Sequence, residues 1–137
     1  MAETVTNKGK YLLSTVGINN LTVRACIFTG TATGTNNPDL DTVADLDAVT
    51  SVNIHTERLT PGSITVTEDD ANDRANIDCA NLTFAAAPGV TAQGLAFYHE
   101  VSAADASRQL ISIHTTGFPQ PMDGGLTVTV ADFLRLS

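Results

Sequence analysis

LTVRACIFTG, residues Leu21 to Gly30, is the stretch on which the fold turns. Side chains alternate across an extended chain, so Leu21, Val23, Ala25 and Ile27 share one face. Cys26 and Phe28, on the opposite face, are apolar as well. A strand apolar on both faces toward one end belongs in the middle of a sheet, where neighbours cover both sides.

Working outward, the pattern stays mostly extended. MAETVTNKG, Met1 to Gly9, is polar and without periodicity and reads as a flexible N-terminal arm. KYLLSTVG, residues 10–17, can make two helical turns with Tyr11, Leu12 and Leu13 on the apolar side and Gly17 as the stop. Thr31 to Asp41 carries Gly34, two Asn and Pro38, and is a loop. In Asp41 to Thr50, Asp41 or Thr42 can cap a short helix whose Val43, Leu46 and Val49 recur every three residues.

From residue 51 the period becomes two. Val52, Ile54 and Thr56 align in SVNIHTERLT, Ile64 and Val66 in GSITVTE, Ile77 and Cys79 in ANIDC, and Leu82 and Phe84 in LTFAA. GLAFYHEV (94–101), RQLISIHTT with Leu110 set against Ile111 and Ile113, and GGLTVTVADFLRLS with Leu126, Val128 and Val130 complete the series. Short strands parted by Gly, Pro, Asn and Asp, with no βαβ alternation, heptad or repeat, indicate an antiparallel assembly. The expected fold is mainly β: an antiparallel β-sandwich, jelly-roll-like or immunoglobulin-like, with one or two short helices. The whole of 1–137 is one domain, with 1–9 as the arm.

Composition agrees, since frequent Thr, Val and Ile fit a pleated surface better than a helix. A net charge of −8 with only seven Lys and Arg argues against nucleic acid as a partner. No apolar run reaches membrane-span length, and the first residues lack the pattern of a secretory signal. Cys26 and Cys79 are far apart without CxxC spacing and read as two free buried thiols.

One stretch invites a chemical reading. ITVTEDDANDRANIDCANLTF, Ile64 to Phe84, packs Glu68, Asp69, Asp70, Asp73 and Asp78 together. A calcium loop starting at Asp70 would need Gly at its sixth position and Glu at its twelfth, where Asn81 stands. DDAND is better read as a solvated turn between two strands, because Asp and Asn bond their own backbone and tolerate left-handed geometry.

His55, His99 and His114 each lie in an expected strand without HExxH or close HxH spacing, so no metal site is assigned. Neither cysteine has an activating motif, no GxSxG elbow occurs, and the G-x-x-x-G of the 30–34 loop leads to no phosphate-binding Lys. Asp45 and Asp47 read as solubilising charge on a short exposed helix. For sugar binding, Tyr98, Phe118 and Phe133 are the only aromatic candidates, and Trp is absent. No catalytic, cofactor-binding or metal residue is assigned, which leaves a structural or interaction module as the expected role.

The order of motifs resembles a group of small virion proteins of tailed bacteriophages. KYLLSTVGINNLTVRACIFTG matches a short helix leading into a first strand with a TG-like end, and NPDLDTVADLDAV a Pro/Asp loop before a short helix. DDANDRA, Asp69 to Ala75, with Thr83 and Phe84 matches a turn followed by a Thr–aromatic pair. GLAFYHEVSAADASRQLISIHTT and FPQPMDGGLTVTVADFLRLS match the later strands. The likeness spans residues 8 to 137; the family's usual Trp positions are not Trp here.

What the resemblance implies is a non-enzymatic capsid decoration (cement) protein on the virion exterior, made in the host cytoplasm, that binds neighbouring major capsid subunits. It implies a homo-oligomer, a trimer favoured, with no nucleic acid and no membrane as partner. The alternative it leaves is a head-fibre or tail-associated module binding a receptor or carbohydrate.

Overall fold

The structure, a computed structural model, describes residues 3–130 and 134–136. In chain order its elements are β1 (Glu3–Val5), α1 (Asn7–Thr15), β2 (Val23–Thr29), α2 (Val43–Asp47), β3 (Asn53–Ile54), β4 (Thr65–Asp69) and β5 (Arg74–Asp78). There follow β6 (Leu82–Phe84), β7 (Thr91–Glu100), β8 (Arg108–His114), β9 (Gln120–Pro121), β10 (Leu126–Val128) and β11 (Leu134–Leu136). Single 3-10 turns lie at Ile18–Asn20 and Asp105–Ser107.

The main sheet runs β1-β8-β7-β2-β3, with β9 added to the start of β7. Two small sheets, β10-β6 and β11-β5-β4, stand apart from it. Every pairing between strands is antiparallel. The chain is mainly β and sandwich-like, as its alternation predicts.

β2 explains the layering. Val23, Ala25 and Ile27 pack with Leu95, Phe97 and Ile111 of the main sheet and with Ile77, Leu82, Phe84, Leu126, Val128 and Leu134 of the small ones. This is the sandwich core. On the opposite face Cys26 and Phe28 join Ala96, Tyr98, Leu110 and Ile113 beneath Val43 and Leu46 of α2 and Val52. The double apolar character of LTVRACIFTG therefore corresponds to cover from both sides, and β2 is an inner strand between β7 and β3. Each large aliphatic or aromatic side chain so hidden contributes about 1.5–3 kcal/mol of transfer free energy.

Three expectations need correction. The supposed arm is tied down from Glu3 onward: β1 pairs with β8, Glu3 opposite His114 and Val5 opposite Ser112. Thr6 is buried and acts as the N-cap of α1, accepting from the Gly9 N–H at 2.8 Å and donating to the Leu110 carbonyl at 2.6 Å. Its backbone N–H bonds the Ile111 carbonyl at 3.0 Å, and the next N–H reaches the Pro38 carbonyl at 2.7 Å. Met1 and Ala2 lie outside the described residues.

The first helix starts at Asn7 rather than Lys10, because Gly9 is what lets it lie on β8: a Cβ there would sit 2.2 Å from the Ile111 oxygen. Its end agrees with expectation, since the Gly17 N–H closes on the Leu12 carbonyl at 3.1 Å. SVNIHTERLT forms only the two-residue β3, then bulges away from β2 and returns at Leu59, which exchanges both backbone bonds with Ala25 at 2.8 and 2.9 Å.

Replacing Thr6 by Ala removes the cap and strands the Gly9 N–H in a dry site, an expected loss of about 2 kcal/mol. Urea unfolding should show that loss for Thr6→Ala and recover most of it for Thr6→Ser, which keeps the hydroxyl.

Candidate functional site

The acidic stretch folds as a hairpin. β4 pairs with β5 in unbroken register from Thr65 opposite Asp78 to Asp69 opposite Arg74, and Asp73 turns the corner at φ +50°. Asp69 is the knot of the turn: it accepts from Asn72 at 2.9 and 3.0 Å and from the Arg74 guanidinium at 2.9 Å. These bonds, the Asn72 amide first, hold its carboxyl below the ordinary carboxylate range. Asp78 accepts from the Cys79 N–H at 2.8 Å. Glu68, Asp70 and Asp73 are exposed and make no hydrogen bond or ion pair among the described residues. The described residues bring no three metal-type ligands together.

The histidines do not meet. His55 and His99 are half-buried and accept backbone N–H groups through Nδ1, His55 from Glu57 at 3.4 Å and His99 from Thr22 at 3.0 Å. His114 is buried in β8, its Nε2 2.9 Å from the Ser112 hydroxyl and its ring edge-on to Phe97 with centroids 5.4 Å apart. Burial pushes its pKa down to about 3, so it is neutral at physiological pH.

The two cysteines are free and buried, in the cores on opposite faces of the main sheet. Burial pushes the Cys26 thiol up to about 12 and the Cys79 thiol up to about 11, which suppresses the nucleophilic thiolate at both.

Asp45 and Asp47 are more than solubilising charge. Asp45 closes a capping box with Thr42, accepting from its N–H at 2.9 Å while the Thr42 hydroxyl accepts from the Asp45 N–H at 3.2 Å. Asp47 accepts the Ile54 N–H at 3.1 Å and so moors α2 to β3.

A cluster that the linear pattern does not announce lies over the same face as α2. Glu100 accepts from Arg24 at 3.1 Å and from Arg108 at 3.0 Å; Asp105 accepts from Arg108 at 2.5 Å and lies 3.6 Å from Arg58. Arg58 also donates to the His55 carbonyl. Three of the chain's seven basic residues thus converge from positions far apart in the chain. Only strand register, with Arg24 opposite Tyr98 and Glu100 opposite Arg108, reveals it.

Beneath the cluster Tyr98 is fully buried, its ring 5.7 Å from the Arg108 guanidinium and its hydroxyl without a hydrogen-bond partner among the described residues. Burial pushes that hydroxyl up to about 12. Because the hydroxyl bonds nothing among the described residues, Tyr98→Phe is expected to leave stability within about 1 kcal/mol of wild type or raise it. Chemical denaturation measures this, and a larger loss would mean that the hydroxyl is satisfied in solution.

Of the aromatic candidates for a sugar platform, Tyr98 is therefore excluded by burial. Phe118 is half-buried beside a groove of about 280 Å³ that Gln120 and Leu126 also line. Phe133 lies outside the described residues. A second, shallower depression of about 600 Å³ lies on the β4–β5 hairpin, lined by Val66, Glu68, Asp70, Asp73, Arg74 and Ala75. Among the described residues, no helix is long and apolar enough to cross a membrane.

No family model, no curated protein and no solved structure matches this chain.

Proposed function

We propose that the chain is a non-enzymatic virion component of a tailed phage, a decoration protein that grips neighbouring major capsid subunits from outside and stiffens the shell. The observation that carries this reading is the main sheet closed on both faces: its reactive side chains, Cys26, Tyr98 and His114, are enclosed and held uncharged. Such a body resists deformation, and its usable chemistry is on its surface. The order of motifs quoted above supports the virion assignment. A negative surface suits the water-facing side of a capsid rather than packaged DNA. Closed rings of copies around symmetry axes, trimers in the first instance, follow from the same reading.

The test is reconstitution. Purified protein should co-sediment with expanded capsids in saturable, stoichiometric amounts and raise their resistance to heat or chelator. Saturation at a few copies per particle at the tail would replace this reading with the tail-associated one.

A further inference from the structure

β4 is a strand its own fold scarcely uses. Thr65, Val66, Thr67 and Glu68 are all exposed, so neither face is covered; Val66 alone keeps 50% of its surface in water. One flank pairs with β5; the other, at the end of the β11-β5-β4 order, bonds no strand among the described residues. Free edges of this kind are normally blunted by proline, lysine or a bulge, because their open N–H and C=O groups template another chain. β4 has none of these: its register is regular and its residues are Thr, Val, Thr, Glu and Asp.

The charges beside the edge choose the occupant. Glu68, Asp70 and Asp73 line the same depression as Val66, all three without an ion pair among the described residues, whereas Arg74 is taken by Asp69. A second copy, itself carrying −8, is repelled at range. A segment rich in Lys or Arg is attracted.

We propose that the open flank of β4 adds an extended, cationic segment of a capsid subunit as a further strand. Backbone bonds along Thr65–Asp69 would supply affinity, Val66 an apolar anchor, and Glu68, Asp70 and Asp73 the selectivity. The proposal rests on the decoration reading and adds the surface and the chemistry of its partner.

The test compares wild type with the triple variant Glu68→Lys, Asp70→Lys, Asp73→Lys and with Val66→Ser for binding to purified expanded capsids at low and high salt. All three positions of the triple variant are exposed, and a thermal midpoint within a few degrees of wild type verifies its fold. The expected result is a loss of affinity of roughly tenfold or more for the triple variant, a smaller loss for Val66→Ser, and wild-type binding that weakens with salt. Wild-type binding that both variants retain in full overturns the proposal and leaves the decoration reading standing. No wild-type binding overturns both. Self-association of free wild type that the variants abolish overturns it too, since the occupant is then another copy.

Discussion

Gly94→Ala is expected to cost about 3 kcal/mol of stability and to lower the thermal midpoint by roughly 10 °C. Gly94 sits in β7, the middle strand of the main sheet, opposite Phe28 of β2. A Cβ there would lie 2.3 Å from Phe28 Cζ, 2.6 Å from its Cε1 and 2.7 Å from the His114 carbonyl oxygen. None of these can yield cheaply. Phe28 is fully buried in a core with Val43, Leu46 and Val52, and the carbonyl belongs to the backbone of the adjoining strand. Relief requires shifting β7 against β2 or β8, which disturbs the ladder on both sides. Gly124→Ala is the matched control: no atom lies within 4 Å of its Cβ position, and the change should stay within about 0.5 kcal/mol. Differential scanning calorimetry of the two variants makes the comparison. Equal midpoints would mean that β2 and β7 are not packed as described.

The second large effect is set by pH. His114 is buried against Phe97, its Nδ1 without a hydrogen-bond partner among the described residues and its pKa pushed down to about 3 from the ordinary value of about 6.5. In the unfolded chain the ring takes a proton as pH falls through that ordinary value; in the folded chain it stays neutral until far lower. Between those limits the unfolded state binds more protons, so stability is complete above about pH 6.5 and falls with acidification by up to about 1.4 kcal/mol per pH unit. The integrated loss near pH 4 is on the order of 3 kcal/mol. Asp69, whose pKa is lowered, adds a loss of the same sign only below the ordinary carboxylate range. From about pH 4.5 to 6.5, above the range in which Asp69 acts, the part due to His114 is read as the difference between wild type and His114→Gln. Urea unfolding across this window should slope more steeply for wild type than for His114→Gln. A wild-type profile without slope would contradict the enclosure of the ring.

Much of the architecture is legible in the linear chain because burial writes itself as alternation. β10 carries it plainly, β2, β7 and β8 show instead the near-continuous apolar runs of strands covered on both faces, and the DDAND turn is marked by residues that serve their own backbone. What escapes is where one residue acts through a distant partner. Thr6 looks like a polar arm residue, yet its hydroxyl bonds the Leu110 carbonyl at 2.6 Å across more than a hundred positions. Gly9 looks like a helix breaker and is instead the contact that seats α1 on β8. SVNIHTERLT alternates well, but the excursion between Ile54 and Leu59 carries Arg58 toward Asp105, and no local pattern shows that. Asp45 and Asp47 read as surface charge because a capping bond and a tether to Ile54 depend on backbone positions that composition leaves open. Tyr98 and Phe118 are equivalent as letters, and only strand order separates the buried ring from the half-exposed one.

The most direct test of an adhesive rather than reactive role is residue-resolution imaging of the intact particle. The account predicts density for this chain over the outer surface of the shell, in copy number comparable to the major capsid protein, with the free flank of β4 against a capsid subunit. A particle whose shell lacks the chain altogether would contradict it.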